Sequence, residues 1–175
     1  MSIRKWRPSE LWPNVSTSAL IATSHEWLAP YLNNVRKNED LKRINLKEVL
    51  HFHLTMEQQE KLNTLAPERI KVPSGSSIKI EYRANGEMPI LAVRLQEVFG
   101  MADTPTVNAG ETKLVMHLLS PGFKPVQITS DLRSFWDNTY FEVRKELKRR
   151  YPKHAWPDDP WNETAVRGVK RRKKY

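Results

Sequence analysis

Between Val143 and Pro160 the sequence reads VRKELKRRYPKHAWPDDP, in which five cationic side chains run into a proline, followed by a sixth cation, a histidine, a tryptophan and two adjacent carboxylates. Such a stretch suggests three chemistries: acid–base work by the carboxylates, metal binding through histidine, or capture of an anion by the cations. Spacing argues against the first. Asp158 and Asp159 are chain neighbours whose side chains diverge, whereas a catalytic pair faces across the bond it breaks; answering nearby Arg and Lys is the simpler role. Metal binding is also poorly served. His51 and His53 sit two apart on a predicted helix and point roughly 200° from one another. His25, His117 and His154 fall in separate elements, and no cysteine is present. A GxxxxGK[ST] loop, whose backbone amides would cradle phosphates, is absent. No catalytic residue, metal or cofactor is therefore assigned, and the chain by itself is not expected to hydrolyse ATP.

The cations remain. On a helix over 143–151, Arg144, Lys148 and Tyr151 share one face and Lys145 and Arg149 a neighbouring one, a pitch that can meet successive phosphates. His154 and Trp156 would then supply rings on which unpaired bases stack. The candidate nucleic-acid-binding residues are Arg144, Lys145, Lys148, Arg149, Arg150, Lys153, His154 and Trp156, with Lys79, Arg83 and Arg94 given less weight. The opposing reading is a solvated helix end with a buried tryptophan anchor. Cations suit the negative end of a helix dipole, and Glu146 stands four residues before Arg150. The two readings differ in Trp156: an exposed ring favours stacking, a buried one a structural brace.

Charge distribution supports a polyanionic partner. The formal net charge over 175 residues is +9, and residues 144–175 hold 12 Lys and Arg against 4 acidic residues. A nearly neutral body with a cationic end fits single-stranded RNA or DNA better than a membrane. The first residues lack the apolar run of a signal peptide and no later window suits a membrane span, so the expected setting is the cytoplasm, with no membrane partner.

The elements that must position these residues come in two styles. Before residue 67, three short helices are predicted. Ser16 or Ser18 caps the first, which Pro30 disrupts; Asn45 with Glu48, and Thr55 with Gln58, open the next two, and Pro67 stops the last. From 67 to 130 the pattern turns to strands: 69–72, IKIEY, MPILAVR, KLVMHLL and PVQIT, with LQEVFG as a short helix after the third. The Asn85-Gly86 and Asn108-Ala109-Gly110 stretches are turns. Three strands, a short helix and two more strands give an α+β chain around a five-stranded OB-like small β-barrel. Asp131 then caps a long helix whose apolar stripe is Leu132, Phe135, Trp136, Tyr140, Val143 and Leu147, and which Pro152 ends. The expected division is 1–66 helical, 67–130 barrel, 131–160 helix and Pro/Trp-rich extension, and 161–175 a basic disordered tail.

Several of these segments resemble a known family. VPSGSSIKIEY, PILAVRLQEVFGM, MHLLSP, PVQITSDLRSFW and EVRKELKRRYPKHAWPDDP look like the C-terminal region of the HrpB-type bacterial DEAH-box ATP-dependent RNA helicases, and WPNVSTSALIATSHEWLAPYL is similar to the helical stretch preceding it. Ala155 stands where that family usually has proline. The resemblance implies an OB-like module after a helicase core, with single-stranded nucleic acid as ligand of the full enzyme and helicase ATPase domains, in cis or trans, as partner. The Walker-type loop and Asp-Glu-x-His box lie outside this chain. An excised domain, a truncated gene and a stand-alone homologue all fit. The function expected is a nucleic-acid-binding auxiliary module guiding single-stranded RNA; the alternative is a structural or protein-interaction module bracing a helicase core.

Overall fold

A computed structural model describes residues 3–83 and 86–169. The chain divides into two compact units, one formed by residues 1–66 and 84–86, the other by 67–83 and 87–175.

The first unit is built from short helices: α1 (Ile3–Trp6), α2 (Thr17–Ala22), α3 (Ser24–Trp27), α4 (Ala29–Leu32), α5 (Asn38–Lys42), α6 (Leu46–Phe52) and α7 (Met56–Leu65). The expected caps are in place. Ser16 Oγ accepts from the Ala19 amide at 3.3 Å, and Asn45 Oδ1 from that of Glu48 at 3.4 Å. Thr55 and Gln58 satisfy each other's amides at 3.0 and 3.2 Å. The expectation of three helices is corrected. Between Thr17 and Leu32 the chain breaks at Thr23, whose hydroxyl donates to Ala19 O at 3.0 Å, and Pro30 sits in the first turn of α4. There a proline's missing N–H costs nothing, so it opens a turn instead of ending one. Trp27 Nε1 donates across the break to Leu20 O at 2.9 Å.

The second unit holds the sheet. Strands β1 (Arg69–Lys71), β2 (Ser77–Glu81), β3 (Ile90–Arg94), β6 (Val115–Leu119) and β7 (Pro125–Thr129) lie in the order β1-β2-β3-β6-β7, while β4 (Thr106–Val107) and β5 (Thr112–Lys113) form a separate hairpin. All neighbours are antiparallel except β3 and β6, which run parallel with Leu91 opposite Met116 and Val93 opposite Leu118. Among the described residues the sheet does not close, so the expected five-stranded barrel is corrected to an open, mixed sheet. Closure would require the edges to pair. β1 is three residues long, with Pro73 soon after it, and β7 opens on Pro125, which has no N–H to give. KLVMHLL, expected as one strand, is split between β5 and β6 at Leu114. The expected Asn108-Ala109-Gly110 turn joins β4 to β5, with Asn108 and Ala109 at positive φ. The Asn85 half of the other expected turn lies outside the described residues.

One face of the sheet carries Ile80, Leu91, Val93, Met116 and Leu118, all buried. The long segment after β7 adds the buried Leu132, Phe135, Trp136, Tyr140 and Leu147. It begins as predicted, with Asp131 Oδ1 accepting from the Ser134 amide at 3.0 Å, but it is not a continuous α-helix. A short α8 (Leu132–Ser134) passes into a π-helical turn over Phe135–Thr139 before α9 (Tyr140–Arg150). The wider turn leaves Phe135, Trp136 and Tyr140 buried as one aromatic group, with Trp136 5.0 Å from Phe135 and 5.3 Å from Tyr140 between ring centroids. Trp136 Nε1 donates to Met101 O at 2.8 Å and Tyr140 Oη to Pro157 O at 2.9 Å. Burial pushes the Tyr140 phenol well above the ordinary tyrosine range, outweighing the nearby Arg144 charge.

Residues 161–169 depart from the disordered tail expected of 161–175. Val166 donates its amide to Gln96 O at 3.0 Å, Gln96 Nε2 donates to Gly168 O at 3.0 Å, and Arg167 Nε donates to Ser74 O at 3.3 Å. The segment thus runs beside the turn after β3 and satisfies the Gln96 carbonyl there. The lysine- and arginine-rich 170–175 stretch lies outside the described residues.

Candidate nucleic-acid interface

The cationic helix end predicted from spacing exists as α9, and its stripe explains how the cations are presented. Tyr140 and Leu147 are buried and Val143 and Arg144 half-buried, so the intervening residues of the helix face solvent. Lys145, Lys148 and Arg149, with Phe141, Glu142 and the edge of Arg144, line a shallow depression of about 600 Å³. Lys145 and Arg149 also border the adjoining hollow beside Val143. These three cations are brought together as a surface, next to the carbonyl end of the helix where positive charge is favoured.

The other expected contacts separate into different roles. Arg150 is exposed and reaches Glu146 Oε1 at 3.4 Å, an i,i+4 pair of modest worth. Lys153 is exposed beyond Pro152. Arg144 turns inward. Its Nε donates to Trp156 O at 2.9 Å and its Nη2 reaches Asp158 Oδ1 at 2.5 Å, so it ties the extension back onto α9. Asp158 therefore does answer a nearby arginine, as its position beside the basic run suggested. Asp159 instead accepts from Asn162 Nδ2 at 2.7 Å and from the Trp161 and Asn162 amides. The Asn162 side-chain bond is the main reason its carboxyl lies below the usual carboxylate range.

Trp156 does not take the stacking position expected of it. The ring is 7% exposed and its Nε1 donates to Tyr151 O at 2.8 Å. A side chain whose only polar atom is satisfied inside the protein is an anchor. His154 is half-buried, with its ring 6.0 Å from Tyr151 and its Nδ1 enclosed without a hydrogen-bond partner among the described residues. Burial, with the charge of Arg94, pulls its pKa below the ordinary histidine value, so at neutral pH it adds no charge to the cationic surface. Of the residues given less weight, Lys79 is exposed on β2, Arg83 pairs with Glu81 and Glu87 at 3.8 Å each, and Arg94 is committed to Glu97 at 2.8 Å. Burial opposes the Glu97 charge, but hydrogen bonds from Ser76, Arg94 and Ser74 and the Arg94 charge outweigh it, leaving its pKa below the ordinary value.

Both shifts have the same consequence at acid pH. The unfolded chain takes up protons at His154 and Glu97 before the folded chain does, so stability present near neutrality falls as pH drops through the unfolded pKa of each. The loss begins below 6.5 with His154 and deepens below 4.5 with Glu97. Urea titrations across this range are expected to show a falling midpoint, and His154→Gln is expected to remove the upper part of the fall. A His154→Gln protein with the unaltered upper fall would contradict this assignment.

The sequence reading missed one groove residue. Phe141 is 48% exposed at the rim of the cationic depression. Its signal was present: an aromatic just off the apolar stripe and four residues before Lys145.

Among the described residues no helix is long and apolar enough to cross a membrane. A family model described as "ATP-dependent helicase C-terminal" matches residues 27–160. The ATP-dependent RNA helicase HrpB of Escherichia coli (strain K12) is 44% identical over 167 residues, which is 95% of this chain but 20% of that protein. A crystal structure of the E. coli DExH-box NTPase HrpB superposes with a TM-score of 0.86 at 43% identity, covering 94% of this chain and 20% of that one. A second, of the E. coli DEAH/RHA helicase HrpB, gives 0.70 at 41% identity over 87% of this chain. The chain thus spans about one fifth of the length of the relatives it matches.

Proposed function

This chain belongs to the HrpB-type ATP-dependent helicase C-terminal family, and we propose that within it the chain is a nucleic-acid-binding auxiliary module that guides single-stranded RNA, without ATPase activity of its own. The observation that carries the proposal is the grouping of Lys145, Lys148 and Arg149 around one depression on α9. Arg150 and Lys153 extend it toward the end of the helix, and Arg144 and Trp156 build the surface from beneath. The open sheet of the second unit, which we read as OB-like, is the rigid support. Phosphates of a single strand would lie along the cations, and the strand would pass to or from ATPase lobes in cis or in trans.

Fluorescence anisotropy of a labelled single-stranded RNA at two salt concentrations tests this. At about 0.7 counterions released per phosphate contact, a log–log salt slope of roughly −3 to −5 corresponds to about four to seven contacts. That slope with micromolar affinity is the expected result. Absence of binding at low salt would overturn it.

A second reading, a brace or protein-interaction module for a helicase core, is favoured by two observations. Trp156 is buried, and the helical unit exposes Leu11, Ile21, Phe52 and Met56, large apolar side chains that a protein partner would cover. Under that reading RNA does not bind, while separately produced ATPase lobes do.

A further inference from the structure

The loop between β6 and β7 exposes an aromatic ring on strained backbone. Ser120 closes the loop: its carbonyl accepts from the Phe123 amide at 2.9 Å, its amide donates to Lys124 O at 2.8 Å, and its Oγ accepts from the Lys124 amide at 3.1 Å. This places Phe123 at φ +61°, a left-handed position where glycine or asparagine is ordinary and a bulky side chain is an outlier. The ring is 65% exposed, so burial does not repay the strain. The Arg94 guanidinium lies 5.0 Å from the ring centroid, held there by Glu97 at 2.8 Å. The loop is also seated on the end of α9. A Cβ on Gly122 would stand 2.7 Å from Tyr151 Oη, so a larger residue there would push the tyrosine ring away. Lys124, next in the loop, and Lys153, two residues past Tyr151, are exposed.

Backbone strain at a ring left largely exposed, backed by a cation and next to an exposed lysine, is the arrangement of a contact surface. Resting on the nucleic-acid reading above, we propose that Phe123, not Trp156, is the base-stacking platform of this module. One unpaired base lies on the exposed ring, Arg94 fixes the ring's orientation, and Lys124 and Lys153 meet neighbouring phosphates. An aromatic platform beside a cationic track is how single strands are held without sequence readout. It also gives the strand a course, from the α9 groove to the β6–β7 loop.

The test compares two short labelled oligonucleotides with the same number of phosphates, one of unpaired RNA and one abasic, against the full chain and two variants. Phe123→Asn keeps a residue that tolerates the left-handed backbone, and Phe123→Tyr keeps a ring. The native chain is expected to prefer the base-bearing strand by about 5- to 100-fold. Phe123→Asn is expected to lose most of that preference with abasic binding unchanged, and Phe123→Tyr to retain it. A preference undiminished in Phe123→Asn, or an equal loss for both strands, overturns the stacking role while leaving the phosphate surface standing. If neither strand binds the native chain at low salt, stacking fails together with the reading it rests on.

Discussion

Reversal of two charges, Lys148→Glu with Arg149→Glu, is expected to weaken single-stranded RNA binding about 100-fold near 0.1 M salt. At about 0.7 counterions per contact, each phosphate contact contributes about 5-fold at that salt, so two lost contacts account for about 25-fold. Repulsion from the new carboxylates supplies the rest. The salt slope should flatten by about 1.4, because the two lost contacts no longer displace their share of counterions. Both side chains are exposed and neither has an ion pair shorter than 4.0 Å among the described residues, so the urea midpoint should hardly move. Anisotropy titrations read the first two quantities and chemical denaturation the third. Unchanged affinity with an intact fold would remove α9 from the interface and shift weight to the brace. A steep loss of affinity with an unchanged slope would mean that the depression is not where phosphates lie.

Trp136→Ala is expected to destabilise the second unit by about 3–5 kcal/mol, the cost of deleting a large buried ring. The ring is 1% exposed, packed at tilted and edge-to-face angles among Phe99, Phe135 and Tyr140, and hydrogen-bonded to Met101 O. A loss of that size is a large share of a domain's usual stability of about 5–15 kcal/mol. The functional consequence follows from position, since Trp136 lies in the π turn that leads into α9. Trp136→Phe keeps an aromatic group and loses the hydrogen bond, so it should cost distinctly less. Urea midpoints compare the three proteins. A Trp136→Ala midpoint within experimental error of the native one would show that the π turn is not what fixes the helix carrying the cations.

Local chemistry was legible in the residues themselves. The caps at Ser16, Asn45, Thr55 with Gln58, and Asp131 were readable because a side chain satisfying an amide two or three residues away needs no knowledge of the rest of the chain. The strand cores IKIE, ILAVR and PVQIT were readable from their composition and flanking turns, and the apolar stripe through Leu132, Phe135, Trp136, Tyr140 and Leu147 marked the buried face even though a π turn interrupts the helix. The charge asymmetry and the cationic end of α9 were plain from residue counts, as was the likeness to the helicase C-terminal family. Tertiary structure alone decided whether the sheet closed, because closure depends on hydrogen bonds between β1 and β7, far apart in sequence, the first only three residues long and the second opening on a proline. It also decided which rings face water. Trp156 is covered because Arg144 and Tyr151 fold the extension back on the helix, whereas Phe123 is left outside by a five-residue loop seated on Tyr151. Residue type alone marks both as aromatic; burial is a property of neighbours that come from elsewhere in the chain.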